Sequence, residues 1–379
     1  TWTALTGIST PQVHERLYPL SFLLPNGKVL VIAPQTGATY VLDVDNQTWT
    51  SVGTAPLRNG SAAMYQPGKI LFSGGGDVSS ATNPAQRTAA ILDLTAPSPS
   101  WQLVASMASA RFLHPSVVLP NGHVLMVGGA GTMGLTSDAF VVTSELWDPA
   151  SSTWTTVPAM DSGRGYHATA LLMPDARVLV AGSGRIGAPA PDNFTAQMYS
   201  PPYLFKGSRP TITSAPASAD YGSTFTVQTP NAAHISSVAL VRLGADTHTL
   251  DMDQRVVALS FTAGPGTLAV QVPTSSAQAP PGSYMLFILN GKGVPSVAKF
   301  IQIGSAGGLA NQPAVDAEPT EVATADQQSV PVIVRPSKSP RPVDPRYGRE
   351  AFPSTAAGKA SDPRAGLRET SDHVLLCRL

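Results

Sequence analysis

The chain has 379 residues, 42% of them hydrophobic, with 24 basic and 24 acidic residues that give a formal net charge of zero. This balance gives no indication of binding to nucleic acid or to an anionic membrane, and no apolar stretch approaches the roughly 20 residues that span a bilayer. The only cysteine is Cys377, which excludes an internal disulfide or a thiolate metal site. The length predicts two or three domains.

Similar tryptophan-containing segments recur along the first part of the chain. They are TWTAL at Trp2, TWTSV at Trp49, SWQLV at Trp101 and TWTTV at Trp154, spaced 47, 52 and 53 residues apart. A repeat of this length is typical of the blades of a kelch-type propeller. Since large rings at a fixed phase are buried where sheets stack, we predict that the tryptophans pack between neighbouring blades.

A series of arginines runs in phase with the tryptophans, and each arginine is followed nine or ten residues later by a proline. The arginines are Arg16, Arg58, Arg111 and Arg164, and the prolines are Pro25, Pro67, Pro120 and Pro174. Short apolar runs follow these prolines, and the turns PNG, PGK and PDA predict antiparallel hairpins. Four complete units are expected, preceded by TWTAL, which matches only the last strand of a unit.

The pattern changes beyond residue 203. From 209 to 304 the segments TFTVQT, SSVALVRL, GTLAVQVP and SYMLFILN predict strands of a small β-sandwich. Residues 305–379 mix Ala, Pro, Ser and charged residues without periodicity, and we predict a disordered tail there. The predicted fold is therefore all-β, with propeller blades over 1–203, a sandwich over 209–304 and a tail over 305–379.

Four segments of the chain together resemble the galactose oxidase and glyoxal oxidase family of copper radical enzymes. They are RGYHATALLMPDARVL, NFTAQMYSPPYLF, VALVRLGADTHTLDMDQR and APPGSYMLFILNGKGVPSVAKFIQI, and NGSAAMYQPGKILFSGG and ARFLHPSVVLPNGHVLMVGG resemble the family's later blades. The resemblance covers roughly residues 1–304. It implies a seven-bladed kelch propeller, of which this chain holds the last four blades. An immunoglobulin-like domain would follow and send a loop up the central channel.

The resemblance also implies one copper ion at the propeller axis. Tyr166 and His167 match the family's axial tyrosine and an equatorial histidine, and His248 matches the second histidine. Imidazole and phenol are donors that suit Cu(II). Adjacent strand residues point to opposite faces, so Tyr166 and His167 can share a metal only where the backbone is irregular, as it can be next to Gly165. The remaining histidines, His14, His114, His123, His234 and His373, are interpreted as structural or exposed.

Two departures from the family pattern qualify this expectation. The radical cofactor that the resemblance implies needs a cysteine joined to a second tyrosine, and no cysteine precedes Cys377. We therefore expect the Cys-Tyr pair upstream of Thr1, in an N-terminally incomplete member that is inactive alone. Tyr18 aligns with a substrate-pocket tyrosine, but Pro19 stands where galactose oxidase has arginine. Since proline has no side-chain donor, this argues against galactose.

The leading hypothesis is a secreted copper radical oxidase that converts an aldehyde or primary alcohol and O₂ to the oxidised product and H₂O₂. Tyr166 would act as the general base for the substrate hydroxyl, as the resemblance implies. The alternative is a non-catalytic kelch propeller that binds carbohydrate or protein, with Tyr166 and His167 as core residues.

Overall fold

The structure is a computed structural model that describes residues 3–8, 18–184, 189–304 and 375–376. Strands dominate this part of the chain, and its helical segments are three short 3₁₀ turns at Ser137–Ala139, Pro202–Phe205 and Ala232–His234. None of the helical segments described is long and apolar enough to cross a membrane. The prediction of an all-β chain is confirmed.

Four antiparallel sheets follow one another along the first part of the chain, and we call them the first to fourth repeat sheets. The first holds β2 (Leu20–Leu23), β3 (Val29–Ile32), β4 (Ala38–Asp43) and β5 (Thr48–Thr54); the second holds β6 (Ser61–Gln66), β7 (Lys69–Ser73), β8 (Ala89–Asp93) and β9 (Trp101–Val104); the third holds β10 (Ser116–Val118), β11 (Val124–Met126), β12 (Ser144–Asp148) and β13 (Thr153–Val157); and the fourth holds β14 (Thr169–Leu172), β15 (Val178–Ala181) and β16 (Ala196–Tyr199). In each sheet the strands pair in chain order. This meander arises because short turns join successive strands. The prediction of seven blades is not tested by these four sheets.

The recurring tryptophans lie on the last strand of the first three repeat sheets, and two of them reach back to the sheet before. Trp101 Nε1 donates to Thr39 Oγ1 of the first repeat sheet at 3.0 Å. Trp154 Nε1 donates to the carbonyl of Ala105, just beyond β9, at 2.7 Å. Trp101 and Trp154 therefore join neighbouring sheets, as predicted for the tryptophans. Trp2 lies outside the described residues.

Two of the recurring arginines are fully buried beneath the glycine-rich bend of their own sheet. Arg111 donates to the carbonyls of Gly128 at 2.9 Å and Thr143 at 3.1 Å and forms an ion pair with Glu145 at 2.6 Å. A Cβ on Gly128, whose φ is +62°, would lie 2.4 Å from the carbonyl oxygen of Arg164. Only glycine therefore fits this approach of one sheet to the next.

The four recurring arginines do not all share this environment. Arg164 is also fully buried and donates to the carbonyls of Gly182 and Thr195 and to the Thr195 hydroxyl, at 2.8 to 2.9 Å. Arg58 is exposed. Arg16 lies outside the described residues.

A β-sandwich follows the repeat sheets. Its five-stranded sheet has the order β17 (Ser218–Ala219), β24 (Lys299–Ile303), β23 (Gly282–Asn290), β19 (Ile235–Arg242) and β20 (Val256–Leu259), and its three-stranded sheet has the order β18 (Thr224–Gln228), β22 (Thr267–Gln271) and β21 (Phe261–Gly264). The four predicted sandwich strands correspond to β18, β19, β22 and β23. The remaining strands lie in segments that the sequence did not single out as strands.

The central strands β19 and β23 are buried on both faces and thereby dock the sandwich on the repeat sheets. On one face, Val238 and Leu240 pack into the sandwich core. On the other, Ala239 and Val241 pack into a cluster that includes residues of the third and fourth repeat sheets, and β23 alternates in the same way. Since side chains alternate along a strand, one strand can serve two cores. The loop that follows β19 is consequently held against the repeat sheets.

The predicted tail is almost entirely outside the described residues. Its described part, β25 (Leu375–Leu376), pairs antiparallel with β1 (Thr3–Ala4). The predicted disorder of 305–379 and the three domain boundaries remain predictions.

Candidate metal centre

Tyr166 and His167 lie in an irregular turn immediately before β14. The amide of Ala168 donates to the carbonyl of Gly165 at 3.0 Å, and His167 has a φ of +63°. This left-handed conformation brings two adjacent side chains together, with ring centroids 3.9 Å apart. Tyr166 is only 4% exposed, whereas His167 is exposed. The irregular backbone that the sequence analysis required is therefore present.

His248 approaches this pair from the sandwich. It lies in the loop 243–255 between β19 and β20, where His248 and Thr249 have φ values of +54° and +67°. The His248 ring centroid lies 4.9 Å from that of His167 and 5.8 Å from that of Tyr166. The three side chains predicted from the sequence thus lie together, although His248 belongs to a different part of the fold.

Both imidazoles are oriented by a hydrogen bond to Nδ1. His167 Nδ1 lies 2.9 Å from the carbonyl oxygen of Gly184, which can only accept, so Nδ1 carries the proton. His248 Nδ1 lies 2.8 Å from the Thr247 hydroxyl. In neutral His167, Nε2 is therefore the nitrogen with a lone pair for a metal. Orientation of one ring nitrogen by a neighbour is the usual arrangement around ligating histidines.

Tyr18 completes the cluster. It enters just before β2 with a φ of +54°, and its hydroxyl lies 3.1 Å from the Tyr166 hydroxyl. Its ring centroid is 4.7 Å from that of His248. The resemblance described in the sequence analysis implies a substrate-pocket residue at this position. The structure adds a direct contact between Tyr18 and Tyr166.

Tyr18, Tyr166 and His248 line a cavity of about 920 Å³, and residues of and next to the second repeat sheet form another part of its wall. The wall includes Arg58 and Asp77. Arg58 makes no ion pair with any residue that the structure describes. The pKa of Asp77 is lowered by hydrogen bonds from Ser79 and by the charge of Arg58. Among the described residues, the cavity lining thus includes one cationic and one anionic side chain that are both exposed, Arg58 and Asp77.

His114 borders the same cavity but is completely buried. Burial and the neighbouring Arg111 cation hold the pKa of His114 well below its ordinary value. Its Nε2 lies 3.2 Å from the Ser73 hydroxyl, and its ring is therefore neutral and fixed. This agrees with its interpretation as structural.

The loop 243–255 is anchored to several repeat sheets. Gln254 exchanges two hydrogen bonds of 2.8 Å with β10, accepting from the Val118 amide and donating to the Ser116 carbonyl. The Ser21 amide of the first repeat sheet donates to Met252 Sδ at 3.1 Å. These contacts fix the base of the loop, and nothing in the sequence spacing indicated them.

Two acidic residues of the same loop were also missed by the sequence analysis. Asp246 accepts hydrogen bonds from Thr169 and Ala170 at the start of β14, and burial raises its pKa. Asp251 accepts the amide of Gln254 at 3.0 Å. Burial, with a contribution from the charge of Asp246, raises the pKa of Asp251 to about 6. The sequence signal for these two residues was the recurrence of aspartate in GADTHTLDMD.

The donor set fits copper by its chemistry. Two imidazoles and a phenol are nitrogen and oxygen donors of the kind that Cu(II) prefers. Among the described residues, no group of three or more His, Cys, Asp or Glu side chains is arranged to hold a metal. A metal here would therefore depend on Tyr166 as well as the two histidines.

Comparison with known families gives two matches that together cover most of the described chain. The family described as glyoxal oxidase N-terminus matches residues 3–203, and the galactose oxidase-like early set domain matches residues 209–303.

Among curated proteins, galactose oxidase of Gibberella zeae is 36% identical over 269 residues, which are 66% of this chain and 38% of the relative. Aldehyde oxidase GLOX of Vitis pseudoreticulata is 29% identical over 331 residues, 76% of this chain and 62% of the relative. The chain therefore spans less than two thirds of either relative.

A solved structure also resembles the chain. It is a fungal alcohol oxidase of the AA5 family in complex with copper, 30% identical, with a TM-score of 0.72 over 80% of this chain and 68% of that one. At this identity and score, both the fold and the order of the segments are shared.

Proposed function

We propose, since the chain belongs to the glyoxal oxidase and galactose oxidase family, that Tyr166, His167 and His248 bind one copper ion. The observation that carries the proposal is the meeting of two oriented imidazoles and a buried phenol from two parts of the fold. Backbone strain at His167 and His248 supports it, because left-handed non-glycine residues cluster at functional sites.

For the whole enzyme, the proposed reaction is oxidation of a primary alcohol or a hydrated aldehyde by O₂; this chain has no cysteine before Cys377 for the family's Cys-Tyr radical and should not turn over alone. An alcohol RCH₂OH and O₂ give RCHO and H₂O₂; a hydrated aldehyde RCH(OH)₂ and O₂ give RCOOH and H₂O₂. Copper, when bound, would supply one-electron chemistry and a position for the substrate oxygen.

Tyr166 and Tyr18 would handle the proton. The Tyr166 oxygen would accept the proton of the substrate hydroxyl as a general base. The Tyr18 hydroxyl, 3.1 Å away, can donate a hydrogen bond that stabilises the Tyr166 oxygen while it is ionised. Burial of Tyr166 would keep bulk water from competing for that proton.

We propose aldehydes and primary alcohols, rather than galactose, as substrates. Pro19, next to Tyr18, is exposed and offers no side-chain donor to adjacent sugar hydroxyls. The cavity lining also includes Arg58 and Asp77. We also propose an extracellular location, which detection of the protein in culture medium would test.

Copper titration tests the metal site without relying on turnover. The full chain should bind one Cu(II), and His167→Ala and His248→Ala should each lower the affinity by at least about tenfold, since each removes a ligand. His234→Ala is the matched control, because His234 is exposed in the sandwich away from the cluster. Equal copper affinity in all four proteins would overturn the proposal. Because no cysteine precedes Cys377, the chain alone should form no peroxide from small aldehydes, and sustained peroxide formation would contradict that expectation.

A further inference from the structure

The loop that carries His248 is tied to the strand that follows His167 by one carboxylate. Asp246 Oδ2 accepts the Thr169 hydroxyl at 3.0 Å and the Ala170 amide at 2.9 Å. Asp246 lies two residues before His248, and Thr169 lies two residues after His167. The contact therefore joins the two halves of the candidate metal centre close to both imidazoles.

The backbone at both histidines needs support from neighbouring contacts of this kind. His167 and His248 both have left-handed φ values, which cost non-glycine residues about 1 to 3 kcal/mol each and persist only where the surroundings enforce them. Gln254 and Met252 anchor the loop further along the chain, to the third and first repeat sheets. Asp246 is the described loop residue whose side chain accepts hydrogen bonds from the start of β14.

We propose that Asp246 is a positioning residue that fixes the separation of the two imidazoles and thereby the copper affinity of the centre. The predicted effect on copper affinity rests on the proposed function, whereas the predicted arrangement of the two rings in metal-free protein does not. A single oxygen atom accepts both bonds, so the amide oxygen of asparagine can replace it. Alanine leaves the Thr169 hydroxyl and the Ala170 amide without this acceptor. The acceptor atom, and not the negative charge, is the required feature.

The test compares Asp246→Asn and Asp246→Ala with the wild-type chain and with Asp253→Asn and Asp253→Ala. Asp253 is a matched control because it lies on the same loop, but its carboxylate accepts the Arg242 guanidinium at 2.7 Å and does not reach β14. Circular dichroism and thermal melting first establish that each variant is folded. All measurements are made on the full chain.

The first readout is Cu(II) affinity and the electron paramagnetic resonance spectrum of the bound ion. Asp246→Ala should lose between about 10-fold and 100-fold in affinity, as is usual when a partner behind the metal ligands is removed. Its copper hyperfine coupling should change as well. Asp246→Asn and both Asp253 variants should retain the wild-type affinity and spectrum.

The second readout uses metal-free protein. With ring centroids 4.9 Å apart, protons of the His167 and His248 rings should give a nuclear Overhauser effect in the wild-type, Asp246→Asn and Asp253 variants. The effect should vanish in Asp246→Ala.

Four outcomes separate this inference from the proposed function. Persistence of the effect in Asp246→Ala, or its equal loss in Asp253→Ala, overturns the positioning role. Copper binding by Asp246→Ala that matches wild type also overturns it, while the proposed copper site stands. If the wild-type chain binds no copper but the Overhauser pattern is as expected, the positioning role stands and the proposed function fails.

Discussion

Arginines at the entrances of the second and third repeat sheets have opposite environments. Arg111, before β10, is fully buried and pairs with Glu145 at 2.6 Å. Arg58, before β6, is exposed and lines the cavity beside Tyr18. In sequence the two arginines occupy the same place in the repeat, so the difference must come from their surroundings.

Two features of the second repeat sheet account for the exposure of Arg58. Only two residues separate it from the first residue of β6, whereas four separate Arg111 from the first residue of β10. In the third repeat sheet, Glu145 pairs with Met126. Met126 precedes Gly128 by two residues. The corresponding position opposite Phe72 is Ala90, which offers no carboxylate. Arg58 therefore lies closer in sequence to the start of its strand and has no carboxylate at the position that Glu145 occupies.

The comparison shows that one recurring residue type can serve packing in one repeat and the cavity in the next. A buried arginine needs paired acceptors, because an unpaired buried charge is costly. Arg164 is buried with two carbonyls and the Thr195 hydroxyl as its acceptors. Arg58 instead lines the cavity next to the candidate metal centre.

Glu145→Ala should have the largest effect, because it would remove the partner that distinguishes Arg111 from Arg58. The buried guanidinium would lose its counter-charge, and the amides of Ala108 and Ser109 would lose their acceptor. The expected loss is about 3 to 5 kcal/mol in the free energy of unfolding, measured by urea denaturation. Arg58→Ala should change it by less than about 0.5 kcal/mol. Similar losses in both variants would contradict the comparison.

Ala90→Glu would sharpen the comparison by placing a carboxylate where the third repeat sheet has Glu145. Ala90 is fully buried, and the short link to β6 should prevent Arg58 from reaching the new group. We therefore expect destabilisation of about 2 to 3 kcal/mol from overpacking and an unpaired acid, measured in the same way. Unchanged stability with a newly buried Arg58 would show that the missing carboxylate alone keeps Arg58 exposed.

The buried arginine should also produce a pH dependence through His114. Burial and the Arg111 cation lower the pKa of His114 well below the ordinary histidine value of 6.5. Below about pH 6.5 the unfolded chain binds a proton that the folded chain does not, so stability falls as the pH falls. The slope is at most about 1.4 kcal/mol per pH unit for one such group. Denaturant unfolding at pH 7 and 5.5 should show a smaller difference in His114→Gln.

Sequence reasoning predicted the all-β class, four of the sandwich strands and the three side chains that meet at the candidate metal centre, but not the parts of the site that depend on packing. The regular spacing of the tryptophans predicted the Trp101 and Trp154 contacts. The segment RGYHATALLMPDARVL indicated Tyr166 and His167. The exposure of Arg58 depends on link length and on Ala90, which lies over thirty residues away in sequence. Cross-strand partners of that kind become visible only once the register is known.

Arg58→Gln should have the smallest effect on stability, and its consequence should be confined to the cavity. Arg58 is exposed and Asp77 stands on the same wall, so a carboxylate ligand in the cavity is attracted by one and repelled by the other. We expect Arg58→Gln to weaken acetate binding and Asp77→Asn to strengthen it, each by about twofold to fivefold at low salt. Amide chemical shifts of Asn59 and Gly60 during acetate titration of metal-free protein provide the measurement. Arg87→Gln is the matched control, because Arg87 is exposed but does not line the cavity. Changes of the same sign in Arg58→Gln and Asp77→Asn would show that their charges do not act on the ligand. The part of the second repeat sheet that lines the cavity would then differ from the third repeat sheet in packing alone.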